Sequence, residues 1–208
     1  MTSAREIAGL SPVIPVITPP DPERMVAMAR AILEGGIRTV EITLRTPTAL
    51  DAIRAVRASV PDLVVGAGTV LEPAQLETAL EAGAQFIVTP GLTPDLLESL
   101  IDAPVPVVPG VSTVSETMLA RYAGFSTLKF FPAGDRKDFL AALAAPFPDL
   151  TFCPTGGIDL QSAADWLALP NVICIGGSWL TPAEFVVEQA WGRIRERAAE
   201  AAALRVTA

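Results

Sequence analysis

Lys129 lies in STLKFFP, flanked by Leu128, Phe130 and Phe131. The chain has two lysines, Lys129 and Lys137, against thirteen arginines, and no histidine. Arginine thus carries the ordinary positive charge, and a lysine set in an apolar strand points to chemistry. A guanidinium keeps its proton, whereas a desolvated ammonium can lose one, and the neutral amine attacks carbonyl carbon. A free lysine, with a pKa of about 10.4, is almost wholly charged at pH 7. Burial can lower such a value by up to about 3–5 units, which turns an amine into a working nucleophile. The structural alternative is a lysine that snorkels to a strand end or pairs with a carboxylate.

A second charged group sits in a similar setting. In TVEITLR, side-chain alternation puts Glu41, Thr43 and Arg45 on one face. A carboxylate between Val40 and Ile42 is costly to bury without a partner. In a chain without histidine, a carboxylate is the natural proton shuttle beside an amine nucleophile. A purely structural Glu41–Lys129 ion pair is the other reading. The Arg45 guanidinium matches a carboxylate in bidentate geometry, unless it is only a surface cation at a strand end. Thr69, after the GAG turn, and Thr155, which shares a face with Cys153, are the inward polar positions. An isolated threonine more often bonds its own backbone. Gly156-Gly157 and Gly176-Gly177-Ser178 follow the last two strands, where glycine lets backbone N–H groups approach an anion.

Strand-like and helix-like segments alternate along the chain to position these groups. The strands begin near Val13, Thr39, Leu63, Phe86, Pro106, Ser126, Thr151 and Val172. They are short and almost continuously apolar, as strands covered on both faces are. Between them run stripes at helical spacing, such as Met25, Met28 and Ile32, or Leu50, Ile53, Val56 and Val60. Thr48, Thr93 and Thr113 read as N-caps; Gly36, Gly83 and Gly124 read as C-terminal stops. A short helix is expected from Ser3, and a final helix after Thr181-Pro182 running into WGRIRERAAEAA. The pattern predicts an α/β fold: one domain over residues 1–208, a (β/α)8 TIM barrel with a short N-terminal helix. Glycine-rich turns at GAGT, TPGL, PGV, PTGG and IGGS then fall on one barrel face. Glu41 and Lys129, on the second and sixth strands, share an interior layer. An open doubly wound sheet is the rival and fits six strands better.

Composition removes several function classes. A net charge of −8 gives no basic footprint for nucleic acid. No apolar run is long enough to span a bilayer, and MTSAREIAGLSP lacks the pattern of a signal peptide, so no membrane role is expected. Cys153 and Cys174 lie in apolar runs without metal-ligand spacing. They are expected to be buried thiols of a reducing, cytoplasmic compartment, with no metal and no cofactor.

With these residues placed, the sequence resembles the 2-keto-3-deoxy-6-phosphogluconate (KDPG) aldolases, also described as 4-hydroxy-2-oxoglutarate (KHG) aldolases. The matching stretches are VEITLRT, VGAGTVL, TPGLTP, PGVSTVSE, KFFPA, FCPTGGI and CIGGSWL, in order from the early strands to the last. The resemblance implies a metal-free, class I aldolase of a keto-acid substrate, on a (β/α)8 barrel and usually a homotrimer. It implies that Lys129 is the Schiff-base lysine and Glu41 the general acid/base. It implies that Arg45 and Thr69 hold the pyruvate carboxylate, and that Pro90, Phe131 and Thr155 line the pocket. Gly156, Gly157, Gly176, Gly177 and Ser178 would take the phosphate.

This chain departs from the family pattern in two places. After the first strand it reads ITPPDPE, with no basic residue, and the loop after KFFPA is a short AGDRKDF without a Gly-Gly. Two other functions are compatible with a barrel: a phosphosugar isomerase or epimerase, and a binding protein that keeps the pocket without the chemistry.

Overall fold

The computed structural model describes residues 3–204. At its start Ser3 caps a short helix, α1 (Ala4–Ala8), and exchanges a reciprocal capping box with Glu6. Parallel strands and helices then alternate. The strands are β1 (Val13–Ile17), β2 (Thr39–Thr43), β3 (Val64–Gly68), β4 (Phe86–Val88), β5 (Val107–Val108), β6 (Gly110–Val111), β7 (Thr127–Phe130), β8 (Thr151–Pro154) and β9 (Ile175–Gly177). The helices are α2 (Pro22–Glu34), α3 (Ala49–Ser59), α4 (Pro73–Glu81), α5 (Pro94–Ile101), α6 (Val114–Tyr122), α7 (Lys137–Ala142), α8 (Leu160–Leu167), α9 (Ala183–Val187) and α10 (Trp191–Ala202).

Every strand pair is parallel. Six strands form one sheet in the order β5-β4-β3-β2-β1-β9, and three form another in the order β6-β7-β8. The expected fifth strand is split at Pro109, which has no N–H to give a ladder. Its carbonyl still accepts from Lys129 N at 2.9 Å. The expected eighth strand starts later than Val172. That residue makes only an isolated bridge to Phe152, and Thr155 makes another to Gly176.

Alternation sorts the strand residues into two cores. Val40, Ile42, Val65, Ala67, Ile87 and Phe152 pack with the helix stripes, including Met25, Met28, Ile32, Ile53 and Val56. Their neighbours Ile14, Phe86, Val88, Val108, Cys153 and Cys174 form a second cluster, which Ile7 and Ala8 of α1 cover. Burying a side chain of this size contributes about 1.5–3 kcal/mol, so Ile7 is the residue that fastens α1. Both cysteines are free and buried. The Cys174 thiol is pushed well above its ordinary range, first by its hydrogen bond with Cys153 and then by burial.

The local signals mostly hold. Gly36, Gly83 and Gly124 have φ of +94°, +90° and +94°, the left-handed stops expected after α2, α4 and α6. Thr93 and Thr113 accept from the backbone N–H of Leu96 and Glu116. Thr48 does not cap. Its backbone is already helical, at φ −84° and ψ −3°, and its hydroxyl donates to the Pro20 carbonyl instead, at 3.0 Å. The single last helix is in fact two, α9 and α10, because Gln189 turns to φ +52° between them.

Candidate active site

Lys129 and Glu41 meet, although they come from different sheets. Lys129 Nζ donates to Glu41 Oε1 at 3.1 Å and to Oε2 at 3.4 Å. Both side chains are about 95% buried, with exposures of 5% and 4%. The strand registers bring them here: Glu41 lies beside Val16 and Gly66, and Lys129 beside Gly110 and Cys153. An ion pair this deep loses the hydration of both groups and stabilises little beyond an apolar pair, so stability alone does not account for it. Chemically, it sets an amine within proton-transfer distance of a carboxylate, away from water.

Beside the pair stand Thr69 and Arg45. Arg45 Nε donates to Thr69 Oγ1 at 3.1 Å. Arg45 lies past the end of β2, in a turn, so the turn rather than strand alternation aims it. Thr69 has φ +60°, a left-handed conformation that a β-branched residue rarely adopts. Such backbone strain costs about 1–3 kcal/mol and clusters at functional sites.

A cavity of about 510 Å³ adjoins these groups, and Arg45 is the one of the four that lines it. Of the expected site residues, Arg45, Phe131, Thr155, Gly156, Gly157, Gly176 and Ser178 line it. Lys129 and Glu41 lie next to that lining, with Lys129 Nζ 5.4 Å from the Phe131 ring centroid. Gly156 and Gly157 have φ of +94° and +76°, so the turn after β8 requires glycine twice. Gly134 packs on that turn, donating to the Gly156 carbonyl at 2.9 Å. The short loop after KFFPA is therefore docked on the glycine pair. Thr155 is buried and donates to the Cys153 carbonyl at 3.3 Å, the backbone role usual for threonine.

Thr69 reaches the cavity only through its bond to Arg45, and two further expected residues lie outside the lining. Gly177 is not in the cavity lining, because the Trp179 ring occupies the space beside its Cα. Pro90 also lies outside the lining; its backbone packs against Gly110, whose N–H donates to Thr89 Oγ1 at 3.0 Å. Several residues of the site were not foreseen, among them Arg24, Thr18 and Gly68. Arg24, in the first turn of α2, lines the cavity one residue beyond the cation-free ITPPDPE. Thr18 lines it too, with its hydroxyl 3.3 Å from that of Thr43. Gly68 leaves the space that the Glu41 carboxylate fills. A glycine ending a strand beside an acidic strand was the available signal for Gly68, but only the β2–β3 register reveals it. Among the described residues, no three of His, Cys, Asp and Glu gather as a metal-ligand group, and no helix is long and apolar enough to cross a membrane.

Known proteins are similar to this chain in sequence and fold. The family model "KDPG and KHG aldolase" matches residues 5–197. The KHG/KDPG aldolase of Escherichia coli (strain K12) is 50% identical over 203 residues, covering 96% of this chain and 95% of that protein. The 2-dehydro-3-deoxy-phosphogluconate aldolase of Dickeya dadantii (strain 3937) is 48% identical over 97% of this chain and 96% of its own. A crystal structure of KDPG aldolase from Legionella pneumophila, with pyruvate captured as a covalent carbinolamine, superposes with a TM-score of 0.93 at 39% identity, covering 96% of this chain and 98% of that one. The enzyme of Zymomonas mobilis ZM4, solved with 3-phosphoglycerate, gives 0.90 at 38% identity, covering 99% and 98%. With a family model spanning most of its length and relatives half identical across almost all of it, the chain belongs to the KDPG and KHG aldolases and is a carbon–carbon lyase.

Proposed function

We propose that the protein is a class I aldolase that reversibly cleaves 2-keto-3-deoxy-6-phosphogluconate to pyruvate and glyceraldehyde 3-phosphate, and 4-hydroxy-2-oxoglutarate to pyruvate and glyoxylate. The observation that carries this is the buried Lys129–Glu41 contact at 3.1 Å beneath a cavity lined by Arg45. The carbinolamine in the Legionella pneumophila enzyme supports an amine as the nucleophile.

Lys129 Nζ passes a proton to Glu41 and attacks the C2 ketone. Glu41 returns a proton as the carbinolamine loses water and becomes an iminium. The carboxylate then takes the C4 hydroxyl proton, directly or through water. The C3–C4 electron pair flows into the iminium, the bond breaks, and the aldehyde leaves. Protonation of the enamine at C3 and hydrolysis of the iminium release pyruvate and restore the amine. Arg45, with Thr69, holds the C1 carboxylate. Phe131 and Thr155 shape the pocket, with Pro90 set back from its lining. Gly156, Gly157, Gly176 and Ser178 surround the distal phosphate, and Gly177 shapes that loop from behind through Trp179.

The scaffold for this chemistry is a single (β/α)8 barrel domain. Three features support the closed form: β5 and β6 abut at Pro109, each serves a different sheet, and bridges join β8 to the β9 segment. A homotrimer in the cytoplasm is the assembly and location we assign. The trimer is supported by a solvent-facing apolar stripe on α6, where Val114, Met118, Leu119 and Tyr122 are 44%, 58%, 43% and 93% exposed. The free, buried thiols suit a reducing compartment.

The deciding experiment is reduction with borohydride in the presence of pyruvate. Mass spectrometry is expected to find the adduct on the peptide carrying Lys129. An unmodified peptide, with cleavage surviving Lys129→Met, would overturn the proposal.

A further inference from the structure

The two cations that line the cavity have different surroundings. Arg45 is bonded to Thr69 on the β3 side. Arg24 follows β1, which lies between β2 and β9 in the sheet order. That order puts Arg24 between Arg45 and the loops carrying Gly156, Gly157, Gly176 and Ser178, all of which share the cavity lining with it. No carboxylate belongs to that lining. Among the described residues the acid paired with Arg24 is Asp21, whose Oδ2 is 3.3 Å from Arg24 Nε, with both side chains more than 40% exposed, while Glu23 shares with them a separate surface pocket outside this cavity. Such an exposed pair is worth little and exchanges easily. Asp21 has separate work as the N-cap of α2, accepting from Arg24 N at 2.9 Å. The ion pair can therefore open without unravelling the helix.

We infer that Arg24 is the specificity-determining cation of this site. Its guanidinium leaves Asp21 on substrate binding and takes the phosphate monoester at the far end of the keto-acid chain. In this way α2 supplies the positive charge that ITPPDPE lacks. The inference rests on the aldolase reading and adds to it the residue that discriminates a phosphorylated substrate from its unphosphorylated counterpart.

The test compares 2-keto-3-deoxy-6-phosphogluconate with 2-keto-3-deoxygluconate as substrates of wild type, Arg24→Ala and Asp21→Asn. Borohydride trapping of pyruvate runs in parallel as a check on the aldolase reading itself. Arg24→Ala is expected to lose about ten- to hundredfold in kcat/KM on the phosphorylated substrate, as removing a charge-assisted hydrogen bond does. Its activity on the unphosphorylated substrate and its pyruvate trapping should stay within about twofold of wild type. Asp21→Asn keeps a good N-cap and frees the guanidinium, so it should lower KM for the phosphorylated substrate. Equal loss on both substrates, or retained discrimination in Arg24→Ala, overturns the role of Arg24. Failure of the wild type to trap pyruvate would instead strike the aldolase reading.

Discussion

Gly68 borders the Glu41 carboxylate so closely that a Cβ at position 68 would overlap Glu41 Oε1, Cγ and Cδ. The last residue of β3 thus holds open the place from which the acid reaches Lys129. The neighbours of Glu41 on both sides are strand backbone, which cannot give way as a surface side chain can.

Gly68→Ala therefore tests position rather than chemistry. Every charged group remains, but Glu41 must rotate or move away from the amine. Overpacking of this kind costs about 1–3 kcal/mol of stability, which a folded domain of this size tolerates. Turnover should fall about tenfold or more, within the range attributed to general acid–base groups. Normal turnover with a folded Gly68→Ala protein would show that Glu41 need not sit where it does.

Separating function from stability at the pair itself needs three proteins. Glu41→Gln leaves a buried ammonium without its counter-charge, which costs about 3–5 kcal/mol, and it should also lose about 10²–10⁴-fold in turnover. Lys129→Met should abolish turnover and pyruvate trapping. The double variant Lys129→Met with Glu41→Leu removes both charges and should regain the thermal stability lost in Glu41→Gln while staying inactive. A melting temperature of the double variant below that of Glu41→Gln would mark the pair as a structural necessity.

The pair was legible because each charge interrupts an apolar strand and the chain offers no histidine to compete. The helix stops at Gly36, Gly83 and Gly124 were legible because their chemistry is local. What stayed hidden depends on register and loop geometry. Strand alternation placed Arg45 on the face of Glu41, yet a turn after Thr43 aims it. Gly177 looked equivalent to Gly176, until the Trp179 ring took one of them out of the cavity. Arg24 was hidden because nothing in a helix's first turn says which neighbour it overhangs. Thr48 had the right residue type for a cap but the wrong backbone conformation.

Thr69 combines strain with a contact to Arg45, and the two can be separated. Thr69→Gly relaxes the φ of +60° and should keep or raise the melting temperature, while removing the oxygen that accepts from Arg45 Nε. A guanidinium that has lost one partner is less well held, so KM should rise about tenfold, with kcat changed much less. Thr69→Asn tolerates the same backbone and keeps a polar acceptor, so it should recover part of the loss. Unchanged KM in Thr69→Gly would confine Thr69 to a structural role.

The stripe on α6 gives the assembly its own test. Val114, Met118 and Tyr122 are spaced at i, i+4 and i+8, so they share one helix face, and Tyr122 is 93% exposed. Large apolar side chains left in water on one face mark a surface that meets another protein. A closed ring of three copies covers such a face without leaving open ends, as heterologous contacts do when the rotation closes. Met118→Glu combined with Tyr122→Glu places two like charges in that contact. The wild type is expected to sediment as a trimer and the double variant as a monomer. Because α6 follows β6, which pairs with the strand of Lys129, loss of the trimer should also lower the melting temperature. A wild type that sediments as a monomer would remove the trimer, and a double variant that stays trimeric would move the interface to another face.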